Sequence, residues 1–254
     1  MKQRVISSVF IVAITILAAY FGGILLDCTL MFVGIYGSYE FINVSRKKFD
    51  LIPFMLMALT IIGLYFFNQY RLIIMMIELI ALLALAVFDE SESFISVGAI
   101  FMMSVILGFA LYFMKYVQGT NKWMFGYVII ISYITDTFAY LIGSRFGKHK
   151  LIERISPKKT IEGSIGGWVF AVIISLLWAC YFNFFGIDRN IIFISSFILP
   201  IVSQIGDLVF SLIKRNYDVK DFSDLIPGHG GILDRLDSNI FCIIVFGTLI
   251  LLLV

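Results

Sequence analysis

The stretch KDFSDLIPGHGGILDRLD, residues 220–237, gathers groups that an apolar span has no use for. Pro227, Gly228, Gly230 and Gly231 give a tight, permissive backbone around His229, and Asp234 and Asp237 stand three residues apart beside Arg235 where a helical run begins. Glycine amides and a helix N-terminus attract phosphate, and aspartates attract the magnesium that accompanies it. His229 gains no catalytic role merely by being histidine. Nor do His149 and His229, far apart and without nearby cysteines, make a zinc site.

Two further stretches carry carboxylates. In QIGDLVFSLIKR, residues 204–215, Asp207, Ser211 and Lys214 form one helical stripe, with Asp207 about 10–12 Å below the charged end. An aspartate held at that depth costs roughly 2–3 kcal/mol unless a cation or water compensates, so it is a functional candidate as well as a plain partner for Lys214. DTFAYLIGSRFGK, residues 136–148, repeats the pattern: Asp136, Tyr140 and Gly143 share a face, and Asp136 precedes Arg145 by about the interval that separates Asp207 from Arg215. Matching depth suggests a common pocket. Glu40 and Glu78 lie in apolar runs without a surrounding motif and read as structural.

SPKKTIEGSIGG, residues 156–167, runs from a polar segment into the next apolar run. Pro157 sets a turn, Lys158 and Lys159 supply compact positive charge, and Ser156, Thr160 and Ser164 supply hydroxyls. Gly163, Gly166 and Gly167 let the backbone approach a ligand or open the next span. Polyanion binding is one account, and a basic juxtamembrane loop that touches acidic lipids is the other.

An anion cradle beside carboxylates at a membrane surface suits the joining of a nucleotide to a lipid phosphate. The lipid phosphate is already ionised near neutral pH, so no strong base is needed. The obstacle is repulsion between two phosphate-rich reactants, relieved by bridging cations, by lysine and arginine, and by alignment. Asp207 and Asp234 would hold metal, and Lys158, Lys159, Lys214, Arg215, Lys220 and Arg235 would neutralise phosphate.

The elements that must position these groups follow from composition. With 61% hydrophobic residues, 14% charged residues and a mean hydropathy of +1.00, the 254-residue chain is a polytopic membrane protein. Its apolar runs are continuous rather than alternating, so it is an all-α bundle and not a barrel. Cys28, Cys180 and Cys242 are too dispersed for metal ligation or a disulfide framework and read as packing residues.

About nine spans are expected, near 5–20, 24–44, 51–67, 72–88, 95–114, 123–144, 165–185, 191–213 and 237–254, with only Phe21, Gly22 and Gly23 between the first two. Lys2 and Arg4 before the first run also resemble a secretory signal, but no cleavage site follows and the spans continue. With the N-terminus cytoplasmic, only Arg71, Lys115, Lys122 and Arg189 of the 19 Lys+Arg fall outside. The acidic turn at Asp89, Glu90 and Glu92 then lies inside, where carboxylates count for little. Both long polar segments, 145–164 and 214–236, face the cytoplasm, and residues 1–120 read as scaffold for a catalytic region at 121–254.

Ser211, Leu212, Ile213, Lys214 and Arg215, then Lys220 and Asp221, then Pro227, His229, Gly230, Gly231, Asp234, Arg235 and Asp237 resemble the signature of the phosphatidate cytidylyltransferases, the CDP-diacylglycerol synthases. DTFAYLIGSRFGK and SPKKTIEG look like a second motif region of that family, and the detailed likeness covers roughly residues 132–240. The resemblance implies transfer of the cytidylyl group of CTP to phosphatidate in phospholipid biosynthesis, with release of pyrophosphate and use of Mg2+, a second cation being left open. By motif position, Asp207 and Asp234 correspond to metal-binding aspartates, with Lys214 and Arg215 catalytic beside them. Ser156, Lys158, Lys159, Thr160, Lys220, His229, Gly230, Gly231, Arg235 and Asp136 would bind substrate. Phe210 stands where relatives often carry an acidic residue, which removes a third carboxylate ligand from this helix.

The expected partners are CTP, phosphatidate and membrane lipids, with no nucleic acid and a homodimer left open. The expected location is the cell membrane, with the site facing the cytoplasm. Two other readings are a CTP-dependent enzyme for another lipid phosphate and an ion-coupled transporter. Clustering of the polar groups at one face argues against transport.

Overall fold

The computed structural model describes residues 15, 17–46, 49–89, 92–182, 184, 187–225 and 230–253. Most of the first expected span, Lys2, Arg4, Lys47, Lys48, Glu90 and the Pro227–His229 part of the signature lie outside the described residues. Helices dominate: α1 Gly23–Arg46, α2 Leu51–Phe66, α3 Arg71–Phe88, α4 Phe94–Thr120, α5 Lys122–Phe146, α6 Ile161–Tyr181, α7 Arg189–Asn216 and α8 Leu233–Leu253. Among the described residues seven helical stretches are long and apolar enough to cross a membrane, while α2 has 16 residues. The chain is an all-α, multi-pass membrane protein.

Local chemistry sets where these helices start. Asp50 accepts from the amide of Ile52, Asn121 from Trp123, Thr160 from Gly163 and Asp188 from Asn190, each serving amides that lack a helical acceptor. At Gly22 and Gly23, φ is +63° and +56°, a conformation open to glycine without strain, so the chain turns there before α1.

Contacts divide the chain into two compact units. One comprises the described residues up to Lys115 together with Asp221–Arg235; the other comprises Tyr116–Lys220 and the chain from Leu236. In the first, α2 packs against α1 and α3, and the core includes Phe41, Ile42, Met57, Ile61 and Leu64. Gly34 and Gly108 let α4 approach α1 and α2: a Cβ at Gly34 would come within 2.7 Å of Leu111, and one at Gly108 within 2.5 Å of Leu64. Glu92, from the acidic stretch, pairs with Arg46 at the basic end of α1.

In the second unit α5, α6 and α7 pack on one another. Tyr127 is fully buried, its hydroxyl 2.7 Å from Ser196 Oγ and donating to the Ile192 carbonyl at 3.1 Å. Small residues bring α5 and α6 together. A Cβ at Gly163 would lie 2.5 Å from the Ala139 carbonyl oxygen, and one at Gly167 would lie 2.6 Å from that of Thr135.

This packing decides between the two uses offered for these glycines and moves the start of the span from 165 to Ile161: residues 161–167 form the first turns of α6, begun by the Thr160 cap, and their glycines open the helix and serve contact with α5. SPKKT is not a turn. Ser156–Thr160 forms β2, antiparallel to β1 at Lys150–Ile152; a two-stranded hairpin tolerates Pro157, which has no amide to contribute, and its carbonyl accepts from Lys150 Nζ at 2.6 Å. The three cysteines are free thiols, Cys242 buried and Cys28 and Cys180 exposed.

Candidate active site

Within the second unit, the C-terminal halves of α5 and α7, the start of α6 and the β-hairpin enclose a cavity of about 590 Å³. Asp136, Ser156, Lys158, Lys159, Thr160 and Asp207 all line it, joined by Tyr140, Lys150, Ser164 and Gln204. The pocket shared by Asp136 and Asp207 matches their equal depth in the sequence. Lys159 forms an ion pair with Asp207, the two side chains being 25% and 23% exposed. Ser164 and Gln204 join α6 to α7: the serine hydroxyl donates to Gln204 Oε1, and Gln204 Nε2 donates to the Ser164 carbonyl at 3.1 Å.

A third carboxylate belongs to this group. Asp237, near the start of α8, lies within electrostatic reach of Asp207 and Asp136, and Lys214 acts on it as well. Ser238 links the helices, its hydroxyl donating to Asp136 Oδ2 at 3.1 Å while its amide donates to Asp237 Oδ1 at 2.8 Å. Gly206 permits the approach, since a Cβ there would meet the Asp237 carbonyl at 3.0 Å. Asp237 stood in the signature, but its sequence carried no sign that it would join Asp136 and Asp207 rather than act beside Asp234.

Among the described residues no three His, Cys, Asp or Glu side chains are placed to hold a metal by themselves. The donor set nevertheless suits magnesium, which binds through one or two carboxylates and completes its shell with water and substrate phosphate. The ammonium of Lys159 against Asp207 marks a place where a cation is already favoured.

The other predicted residues lie at the helix ends and in the signature turn. Lys214 and Arg215 close α7, and Arg215 Nη1 donates to the Val219 carbonyl at 3.2 Å. Lys220 and Arg235 are exposed, and His229 lies outside the described residues. In the first unit, Asp234 Oδ2 accepts from the amides of Phe222 at 2.7 Å and Gly231 at 3.0 Å. Gly230 adopts φ +81°, with room for no side chain against Asp234. The amides of Ile232 and Leu233 donate to Glu40, each at 2.9 Å. The turn's amides were expected to receive phosphate; those of Gly231, Ile232 and Leu233 are instead satisfied by carboxylates of the protein. Glu40 is therefore tied to the signature, which its isolated place in an apolar run concealed.

The chain matches the cytidylyltransferase family over residues 2–253. It is 33% identical over 251 residues to the phosphatidate cytidylyltransferase of Staphylococcus aureus (strain COL), covering 95% of each chain. It is 31% identical to the proteins of the same name from Staphylococcus saprophyticus, over 251 residues, and Staphylococcus epidermidis (strain ATCC 12228), over 253 residues, again covering 95% of each chain.

Proposed function

Because this chain belongs to the cytidylyltransferase family, we propose that it transfers the cytidylyl group of CTP to phosphatidate, forming CDP-diacylglycerol and pyrophosphate. The observation that carries the reading is the cavity of the second unit, where Asp136 and Asp207 stand opposite the lysines of a β-hairpin at one end of the helices. An oxygen of the lipid phosphate attacks the α-phosphorus of CTP as the bond to the β-phosphate oxygen breaks, and that oxygen leaves with pyrophosphate. The nucleophile arrives ionised, so the protein need not remove a proton.

Lys158 and Lys159 offset the charge of the assembled phosphates, and Ser156 offers a hydroxyl donor that orients their oxygens. Asp207, together with Asp136 or Asp237, would hold magnesium, which when bound neutralises phosphate charge and polarises the reacting phosphoryl group. Asp234 is proposed as a second metal-binding carboxylate on the strength of the signature. Lys214 and Arg215 are proposed to act beside Asp207 from the last turn of α7, and Lys220 and Arg235 to meet phosphate from exposed positions. The basic residues of this end of the helices, between Arg145 and Lys159 and at Lys214 and Arg215, support a site on the cytoplasmic side by the positive-inside rule.

The test uses the purified chain in mixed micelles with CTP, magnesium and phosphatidate, following pyrophosphate and the lipid product. Pyrophosphate release that requires both substrates is expected. Release with a polyprenyl phosphate but not with phosphatidate would move the reading to another lipid, and CTP left intact with every lipid phosphate would end it.

A further inference from the structure

Glu40, on α1, is fully buried, and three donors of the protein converge on its carboxylate, with the Asp234 carboxylate near enough to repel it. Its Oε1 accepts from Ser223 Oγ at 2.6 Å and from the Ile232 amide at 2.9 Å, and its Oε2 accepts from the Leu233 amide at 2.9 Å. Leu233 begins α8 and Ile232 stands just before it, where amides at the start of a helix have no acceptor in their own helix. Such amides are usually served by a residue just before the helix. Here the acceptor comes from 192 and 193 residues earlier in the chain, and its negative charge suits the helix N-terminus.

The surrounding residues are shaped to this contact. A Cβ at Gly231 would collide with the Glu40 carboxylate, 2.7 Å from its Cδ. One turn before Glu40, Gly37 leaves space for Leu233, whose Cδ2 would stand 3.1 Å from a Cβ there. On the other side of the same turn Asp234 takes the amides of Phe222 and Gly231. Two carboxylates thus hold Phe222, Ser223, Gly231, Ile232 and Leu233, one from a distant helix and one from the signature itself.

We propose that Glu40 is a positioning residue for cytidylyl transfer: it fixes the start of α8 and thereby the aim of Asp234. The proposal rests on the reading of Asp234 as a metal-binding carboxylate. Glutamine at position 40 keeps the size but presents an NH2 donor where three donors already converge. Glu40→Gln is expected to lower kcat by about 10–100-fold, as loss of a partner outside the metal's own ligands does, and to raise the magnesium concentration needed for half-maximal rate. A residue that only supports folding would reduce the amount of active enzyme and leave the magnesium dependence of the remainder unchanged.

The companion experiment uses the fit between two positions. Gly231→Ala alone is expected to lose at least tenfold in kcat, and adding Glu40→Asp, which withdraws the carboxylate by one methylene, is expected to recover part of that loss. The inference is overturned if the double variant is no better than Gly231→Ala, or if folded Glu40→Gln keeps the wild-type rate and magnesium dependence. Asp234→Asn separates the layers. An active Asp234→Asn removes the reading of Asp234 and the role of Glu40 with it, whereas an inactive one beside an unaffected Glu40→Gln removes Glu40 alone.

Discussion

Replacing Asp207 by asparagine should separate what the carboxylate does for folding from what it does for catalysis. The substitution removes the partner of Lys159, and the opposing effects can be weighed. Two unit charges about 4 Å apart interact by about 4 kcal/mol at an effective dielectric of about 20. The pair keeps about a quarter of each side chain exposed, so water reduces the attraction to something on the order of 1–2 kcal/mol. Against that loss, Asp207 is the strongest charged neighbour of both Asp136 and Asp237, and its neutralisation relieves two repulsions that oppose the lost attraction.

Lys159 also keeps Asp136 within electrostatic reach, so it is not stranded. The net change in stability should be within about 1 kcal/mol, a Tm shift of about 4 °C or less for a chain of this length. Turnover should fall by about 10²–10³-fold or more, because the group that stabilises charge in the reacting complex is gone. Thermal unfolding in detergent and pyrophosphate release at saturating magnesium provide the two readings. Retention of more than a tenth of wild-type kcat would refute the metal and phosphate role, and a Tm lowered by about 10 °C or more would show that the carboxylate is chiefly structural.

Lys158→Ala should raise the KM for CTP or phosphatidate several-fold while leaving Tm unchanged; unchanged KM values for both substrates would exclude its lysine from the phosphate site. Gly163→Ala puts a methyl group against the Ala139 carbonyl and should destabilise the protein by about 1–3 kcal/mol, seen as a lower Tm together with lost activity as α5 and α6 separate. Thr160→Ala removes the hydroxyl that accepts from the Gly163 amide at 3.1 Å and should cost about 1 kcal/mol, whereas Thr160→Ser should keep both stability and rate. Equal Tm values for the alanine and serine variants would show that the cap contributes nothing.

Several features were legible because the bilayer reads sequence locally. Runs of about 20 apolar residues located the described helices to within a few residues, and the intervals from Asp136 to Arg145 and from Asp207 to Arg215 placed two carboxylates at one depth before any tertiary contact was known. The glycines of residues 163–167 admit two uses in the sequence, approach to a ligand or the opening of a span, because glycine looks alike in a loop and in a helix contact; the Ala139 and Thr135 carbonyls opposite them show which is meant. The strand at SPKKT likewise depends on a partner, Lys150–Ile152, and has no local period of its own.

Sequence alone determined the solvent of this protein, the approximate helices and the residue types of its phosphate chemistry, since each depends on composition within a helix length. Tertiary structure decided that Asp237 joins Asp136 and Asp207, and that Glu40 caps a helix almost the whole chain away. A carboxylate's role depends on which donors and charges face it in space, and those neighbours come from helices whose approach is set by small residues far apart in the chain.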